Sequence, residues 1–133
     1  MAYVLDTNIC IYIIKKKPKK VLETLKRKKI SSIGISTITL SELEYGIVKS
    51  QAPGKNRLAL IEFIAPLKIY NYDDMAAKHY GEIMAYLEKI GKTMGPLDML
   101  IAAHVRSLGY ILVTNNEKEF INVPNLKVEN WTK

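Results

Sequence analysis

The chain opens with Met1-Ala-Tyr-Val-Leu-Asp-Thr-Asn8, a short apolar run followed at once by an acid, a hydroxyl and an amide. A run of this length that is rich in β-forming residues and stops at turn formers predicts a buried strand ending at Asp6. In open parallel sheets, ligands bind just beyond the carboxyl ends of the strands. Asp6, beside Thr7 and Asn8, is therefore a candidate cation ligand. The alternative is that Asp6 or Thr7 only caps the helix that follows.

Strands and helices alternate along the rest of the chain. Further strands are predicted at residues 33–35, 67–70, 110–113 and 127–129. Helices are predicted at residues 9–14, 57–64, 73–90 and 96–107. Two more are predicted from their first residues, one with Pro18 in its first turn and one capped by Ser36 or Thr37. A break at 51–54 separates the latter helix from the one over 57–64. The spacing of apolar residues predicts a buried face on the helix over 73–90 formed by Ala77, Tyr80, Ile83, Met84 and Leu87.

Short, continuous apolar strands separated by helices are typical of a parallel sheet that is covered on both faces. The predicted fold is therefore a three-layer α/β/α structure with a short, mainly parallel central sheet. A length of 133 residues fits one domain over 1–133 and is too short for two.

Composition excludes several classes of protein. No apolar run approaches the roughly 20 residues of a membrane span, and no basic segment followed by an apolar one marks a signal peptide. The one cysteine, Cys10, has apolar neighbours and is expected to be a core residue in a reducing compartment. The chain has one cysteine and two histidines, which are too few ligands to favour a zinc site or thiol chemistry. We expect a soluble, cytoplasmic protein.

The net charge is +7, and nine of the twenty lysines and arginines fall within residues 15–29 beside a single acid, Glu23. Such a patch favours a polyanionic partner, because each phosphate that it neutralises releases counterions. Nucleic acid is the predicted partner, and a solvated helix face is the alternative. The candidate RNA-binding residues are Lys15, Lys26, Lys28 and Lys29.

Most of the acids have a simple surface or capping role, but two on predicted helices do not. Glu42 lies near the start of the helix led by Ser36, and Gly46 one turn later leaves space beside it. The alternative is an exposed glutamate. Asp98 lies in Pro96-Leu-Asp-Met-Leu-Ile-Ala-Ala103, where every other residue is apolar. A buried carboxylate is costly unless a cation compensates it, although the helix dipole is another source of compensation.

A fourth acid lies in Thr114-Asn-Asn-Glu-Lys-Glu-Phe120, just after a predicted strand. Glu117 and Glu119 are both candidates there, with Asn116 as a neutral ligand, and the residues themselves do not choose between them. Carboxylates gathered from several strand ends and helix starts repel one another, and a divalent ion that prefers oxygen ligands relieves that repulsion. Mg²⁺ or Mn²⁺ is the natural choice, and such an ion activates water for phosphodiester hydrolysis.

Four motifs, over 1–8, 36–46, 95–104 and 114–120, together resemble PIN-domain ribonucleases, most closely the VapC toxins of bacterial toxin–antitoxin pairs. The resemblance covers nearly the whole chain, with the motifs in the family's order. It implies that the family's acids fall on Asp6, Glu42, Asp98 and Glu119, and its polar helpers on Thr7, Asn8, Thr114 and Asn116. The first three acids are the implied metal ligands. Glu119 departs from the aspartate that is usual in the family, which suggests that it acts through water.

The resemblance also implies an activity and partners. The activity is Mg²⁺- or Mn²⁺-dependent endonucleolytic cleavage of RNA, often of tRNA, which stops translation. The partners are a second copy of the chain in a homodimer and a VapB-type antitoxin that covers the groove and blocks the site. No membrane partner is implied.

Three other functions remain open at the level of sequence. A phosphorelay receiver domain has a similar sheet and an acidic pocket, but it needs a second acid beside Asp6, where Leu5 and Thr7 stand. A non-catalytic RNA-binding module would use only the basic run and would leave Asp98 unexplained. A DNA-directed nuclease of the same fold would use the same acids.

Overall fold

Five short strands form one parallel sheet in the computed structural model, which describes residues 1–133. In chain order the strands are β1 (Tyr3–Leu5), β2 (Ile33–Ser36), β3 (Lys68–Tyr70), β4 (Ile111–Val113) and β5 (Lys127–Glu129). Their order across the sheet is β3-β2-β1-β4-β5. The chain therefore builds outward from β1 first on one side and then on the other. The β1/β4 pair is the point of reversal, where open parallel sheets bind ligands.

Seven helices cover the two faces of the sheet. They are α1 (Thr7–Lys15), α2 (Lys19–Lys26), α3 (Thr37–Lys49), α4 (Pro53–Ile64), α5 (Asp74–Ile90), α6 (Pro96–Leu108) and the single turn α7 (Glu117–Phe120). Neighbouring strand residues point to opposite faces, so Val4 joins a core cluster with α5, α6 and α7 while Leu5 joins one with α1 to α4. The predicted three-layer fold with a parallel sheet is confirmed. None of the helices has the length and apolar character that a membrane span requires.

Several predicted boundaries differ from the structure for identifiable reasons. Helix α1 begins at Thr7, two residues early, because Asp6 serves as its N-cap. The break predicted over 51–54 is shorter in the structure, because α4 begins at Pro53 and not at Arg57 as predicted. Proline fits the first turn of a helix, where its missing N–H costs nothing. Pro18, in contrast, precedes α2 as its N-cap residue and does not lie in its first turn.

Two further details were not anticipated. A 3₁₀ turn at Ile30–Ser32 leads into β2. On α5 the prediction of Ala77 as a buried residue was wrong, because Ala76 is fully buried and Ala77 is exposed. The buried face of that helix is thus rotated by one residue at its start, while Ile83 and Leu87 are buried as predicted.

Candidate active site

The carboxyl ends of β1, β2 and β4 bring the predicted site residues to one edge of the sheet. Asp6 follows β1 directly, and its N–H donates to the carbonyl of Val113 on β4 at 2.9 Å. Thr114 follows β4, and Ser36 ends β2 and caps α3. The candidate site therefore lies at the carboxyl edge of the sheet, where the opening stretch of the sequence predicts it, and this place is also the point of strand reversal.

Asp6 caps α1 and is also buried in an acidic environment. Its Oδ1 accepts a hydrogen bond from the N–H of Ile9 at 3.0 Å, and the residue is only 7% exposed. Burial raises the pKa of Asp6, and the charge of Glu42 raises it further, against hydrogen bonds from Thr114 and the backbone that lower it. The capping alternative is thus correct for the helix, and the role of Asp6 as a metal ligand stays a prediction.

Glu42 is tied to the start of α1. The hydroxyl of Thr7 donates to its Oε1 at 2.6 Å, which joins the α3 acid to the residue that follows Asp6. Glu44 lies on the other side of α3 and pairs with Arg57 of α4. A Cβ at Gly46 would meet no atom within 4 Å, so the space predicted beside Glu42 exists.

Asp98 is half-buried in the first turn of α6. Burial raises the pKa of Asp98 to about 6, and the charges of Glu119, Asp6 and Glu42 add to the effect in that order. A helix dipole alone would lower the pKa of an acid in a first turn. The opposite shift means that burial and neighbouring acids dominate, and that Glu119, Asp6 and Glu42 all lie within electrostatic range of Asp98.

The loop after β4 distinguishes the two competing glutamates. The Oε1 of Glu119 accepts a hydrogen bond at 3.2 Å from the N–H of Gly95, the N-cap residue of α6. Glu117 turns away and contacts Asn130 at 3.0 Å and Lys133 at 2.8 Å. These two partners lower the pKa of Glu117. Only Glu119 therefore faces the other acids.

The predicted polar helpers divide into two groups. Thr7 and Thr114 contact the acids, Thr7 through Glu42 and Thr114 through Asp6. Asn8 and Asn116 are exposed, and each contributes a backbone N–H rather than a side chain, that of Asn116 to the Thr114 hydroxyl at 3.0 Å. Neither asparagine side chain makes a hydrogen bond to an acid, and their role as polar helpers stays a prediction.

The predicted RNA-binding lysines differ in how exposed they are to solvent. Lys26 and Lys29 are exposed, and Lys15 is exposed at the end of α1, beside the groove that holds Glu42. Lys28 is half-buried, with its Nζ 3.2 Å from the hydroxyl of Tyr3 and 4.7 Å from the centre of the same ring. Lys28 is therefore the least available of the four for an external phosphate.

The donor set fits a hard divalent ion in its chemistry, because it consists of carboxylates and hydroxyls without sulfur. The repulsion that raises the pKa of Asp98 is the effect that a bound cation relieves. No three acidic, histidine or cysteine side chains converge closely enough to hold an ion. Glu42 and Glu119 are instead directed at Thr7 and Gly95. Ligation by three acids therefore requires rotation of a side chain.

Three residues near the site were missed by sequence reasoning. The buried hydroxyl of Thr39, one turn before Glu42 on α3, and the Oδ1 of Asn115 have no hydrogen-bond partner. The amide of Asn115 donates to the hydroxyl of Tyr12 of α1 at 3.2 Å, whereas its neighbour Asn116, and not Asn115, was predicted as a polar ligand. His104 is buried in α6, where it is a polar residue in an apolar segment. Asp98 was recognised by that same signal, which could therefore have identified His104 as well.

Known proteins share this fold. The family model described as "PIN domain" matches residues 3–126. The tRNA(fMet)-specific endonuclease VapC of Shigella flexneri is 46% identical over 133 residues, 99% of either chain. Among solved structures, DNA-bound VapBC from Salmonella typhimurium has a TM-score of 0.92 at 43% identity over 98% of both chains. VapBC2 from Rickettsia felis, bound to a promoter DNA fragment, has a TM-score of 0.90 at 41% identity, covering 98% of this chain and 99% of that one.

The chain therefore belongs to the PIN-domain family. Within that family it groups with the VapC proteins, at identities of 42% to 46% over nearly the full length of several of them. The resemblance seen in the sequence is confirmed, and the phosphorelay receiver is excluded because the family and fold are those of PIN domains.

Proposed function

We propose that this protein is a divalent-metal-dependent endoribonuclease and the toxin of a toxin–antitoxin pair. The observation that carries the proposal is the gathering of Asp6, Glu42, Asp98 and Glu119 at the point of strand reversal. Burial and neighbouring acids raise the pKa of both Asp6 and Asp98, which costs stability when the two are charged, and a cation offsets that cost. A non-catalytic RNA-binding module would have no use for them.

Asp6 and Asp98 would hold a Mg²⁺ or Mn²⁺ ion directly, and Glu42 would join them after release from Thr7. Such an ion supplies a water of lowered pKa and neutralises charge on the phosphodiester in the transition state. The protein's own residues orient these ligands. Thr114 bonds to Asp6 and Thr7 bonds to Glu42, so each hydroxyl fixes one carboxylate.

Glu119 has a different role in the proposal. Its carboxylate accepts from the N–H of Gly95, where α6 begins, three residues before Asp98. It therefore anchors the turn that presents Asp98, and it adds negative charge beside that acid. This role accounts for a glutamate where the family usually has the shorter aspartate.

The proposed substrate is RNA, and tRNA in particular. Relatives at 46% and 45% identity are named tRNA(fMet)-specific endonucleases. Exposed Lys15, Lys26 and Lys29 would contact phosphates and contribute affinity without sequence preference. Cleavage would take place in the cytoplasm, where tRNA serves translation.

The proposed regulator is a VapB-type antitoxin, in keeping with the VapBC complexes that the chain resembles. An apolar groove of about 280 Å³ between α1, α3 and α4 is lined by residues that include Ile11, Ile14, Leu43 and Leu60, and Glu42 is also part of its lining. An apolar antitoxin segment in this groove would reach the acids and block them. We further propose that the chain forms a homodimer. The molar mass of the purified chain, measured by light scattering as it elutes from a size-exclusion column, tests this.

The substrate class is tested with purified protein and paired nucleic acids. Total tRNA and a single-stranded DNA of matched length are incubated with Mg²⁺, and in parallel with EDTA. We expect discrete tRNA fragments only with Mg²⁺ and intact DNA throughout. Cleavage of the DNA at a similar rate would favour a DNA-directed nuclease, and cleavage of tRNA in EDTA would contradict the metal requirement.

A further inference from the structure

His104 is a buried polar residue in the apolar helix α6, and the proposed chemistry does not use it. The residue is 1% exposed, between the apolar residues Ala103 and Val105. Burial of an imidazole is costly unless its nitrogens find hydrogen-bond partners. An apolar side chain of similar size would fill the same space without that cost. What histidine adds at this position is its two ring nitrogens, which can form hydrogen bonds.

One of those nitrogens connects α6 to the segment between β2 and α3. Nδ1 of His104 lies 2.8 Å from Oγ of Ser36, the residue that ends β2 and caps α3. Ser36 Oγ in turn accepts from the N–H of Ile38 at 3.0 Å. Burial lowers the pKa of His104, so the ring is neutral and one nitrogen is an acceptor. The charge of Asp73 and the backbone of Asn71 oppose that shift. Because Ser36 Oγ already accepts from the N–H of Ile38, its own hydroxyl hydrogen is available to Nδ1, and we assign Nδ1 as the acceptor.

This bond joins the helices that carry Asp98 and Glu42. Helix α6, which carries Asp98, packs mainly against α5, and α5 carries none of the four acids. Its packing against α3, which carries Glu42, is much less extensive. The bond from Ser36 to His104 is the one side-chain hydrogen bond between α6 and the β2–α3 segment. Apolar packing is not directional. A slip of one residue along a helix moves a side chain by about 1.5 Å, whereas a designed metal site tolerates ligand displacements of about 0.2 Å.

We propose that His104 is a positioning residue, which accepts the Ser36 hydroxyl and thereby sets α6 against α3 and Asp98 against Glu42. The inference rests on the proposed function, in which these two acids act on the same divalent ion. His104 itself contacts neither the ion nor the RNA.

The test separates the two ring nitrogens. Asparagine at position 104 places its side-chain oxygen where Nδ1 lies, whereas glutamine places its amide near Nε2. Mn²⁺ alone is titrated into the full-length chain, and free Mn²⁺ is followed by electron paramagnetic resonance. We expect His104→Gln to weaken Mn²⁺ binding by about 10–100-fold, the usual loss for a residue behind a metal ligand. His104→Asn should stay close to the parent, and KM for RNA should change little in either variant.

Val105→Ala is the matched control, because it removes buried volume from the same helix and leaves the hydrogen bond in place. It should lower thermal stability without changing the affinity for Mn²⁺. If Mn²⁺ affinity falls equally in all three variants, His104 has only a packing role and the proposal is wrong. Unchanged affinity in His104→Gln overturns it as well.

A second pair of variants changes Ser36, the other partner in the hydrogen bond. This pair tests the proposal if the His104 variants do not fold. Ser36→Thr keeps both the hydroxyl and the helix cap, and it should bind Mn²⁺ like the parent. Ser36→Ala should weaken binding by the same factor as His104→Gln, and the double variant should be no weaker than either. Additive losses would contradict the proposal. A parent protein that binds no Mn²⁺ would instead refute the proposed function itself.

Discussion

At the scale of single residues, the cost of burying charge explains what the sequence reveals about the site. Asp98 is recognisable because an acid in an apolar helix needs compensation, and its raised pKa reflects that cost. Glu117 and Glu119 are not distinguishable in this way. They lie in the same helical turn, and the turn's orientation depends on how Phe120 is buried against the rest of the core. The approach of Asn115 to Tyr12 likewise depends on tertiary packing.

The raised pKa of Asp98 predicts how the stability of the metal-free protein varies with pH. The folded protein binds this proton more tightly than the unfolded chain, whose aspartate has a pKa of 3.8 against about 6 when folded. The stabilisation is therefore complete below about pH 4 and is lost as the pH rises through 6. In urea unfolding with EDTA between pH 4 and 7.5, the parent should lose stability relative to Asp98→Asn. Parallel curves for the two proteins would contradict the prediction.

Glu119→Gln should reduce the cleavage rate less than Asp6→Asn or Asp98→Asn. The reason is that Glu119 acts through Gly95 rather than on the reacting atoms, and such residues cost about 10–100-fold when changed. Single-turnover cleavage of one RNA at saturating Mg²⁺ measures the difference. Glu117→Gln is the control and should match the parent, since Glu117 contacts only Asn130 and Lys133. A larger loss for Glu117→Gln would reverse the assignment.

At the scale of elements, the alternation of short apolar strands with helices was enough to predict the layers and the parallel sheet. The strand β5 has the predicted bounds, 127–129. The start of α4 was not predicted, because Pro53 followed by Gly54 is as typical of a turn as of a helix start. Which of Ala76 and Ala77 faces the core is similarly decided by packing, since the two small side chains are equivalent in the sequence pattern.

Gly34 in β2 should not tolerate a side chain. A Cβ there would collide with the ring of Tyr70 on β3 and lie 2.8 Å from the carbonyl oxygen of Lys68. Gly34→Ala should therefore destabilise the protein by about 1–3 kcal/mol, the usual cost of overpacking. Denaturant unfolding measures it. Gly81→Ala is the control, because a Cβ within α5 meets no atom and should be neutral or stabilising by up to about 1 kcal/mol. Equal effects in both variants would argue against the close approach.

At the scale of the whole molecule, the charge is unevenly distributed. The excess of +7 is concentrated in residues 15–29, while four acids gather at the edge of the sheet. Lys15 lines the groove that contains Glu42, whereas Lys28 contacts Tyr3 at the amino end of β1. A basic surface of this kind suits a polyanionic partner. The sequence alone predicts the run but not which of its lysines is free, because the interaction of Lys28 with Tyr3 joins residues far apart in the chain.

Replacement of Lys26 and Lys29 by alanine should weaken binding to all RNAs alike. The plot of log affinity against log salt should become shallower by about 0.7 for each phosphate of a single strand that is no longer neutralised. The cleavage rate at saturating RNA should be unchanged, since neither lysine touches the acids. The control is a double alanine variant at Lys78 and Lys89, exposed lysines of α5, which removes the same charge elsewhere. If both variants change the salt slope equally, the run has no special place on the RNA path.

The proposed chemistry requires that the acids at the carboxyl edge of the sheet act through a bound divalent ion. RNA cleavage together with Mn²⁺ binding by Asp98→Asn tests this requirement, because the change preserves shape and removes charge. Asp74→Asn, at an exposed acid of α5, is the matched control. We predict that Asp98→Asn folds normally but loses both Mn²⁺ binding and cleavage, while Asp74→Asn keeps both. Cleavage by folded Asp98→Asn at the rate of the parent would contradict a role for the acids as ligands.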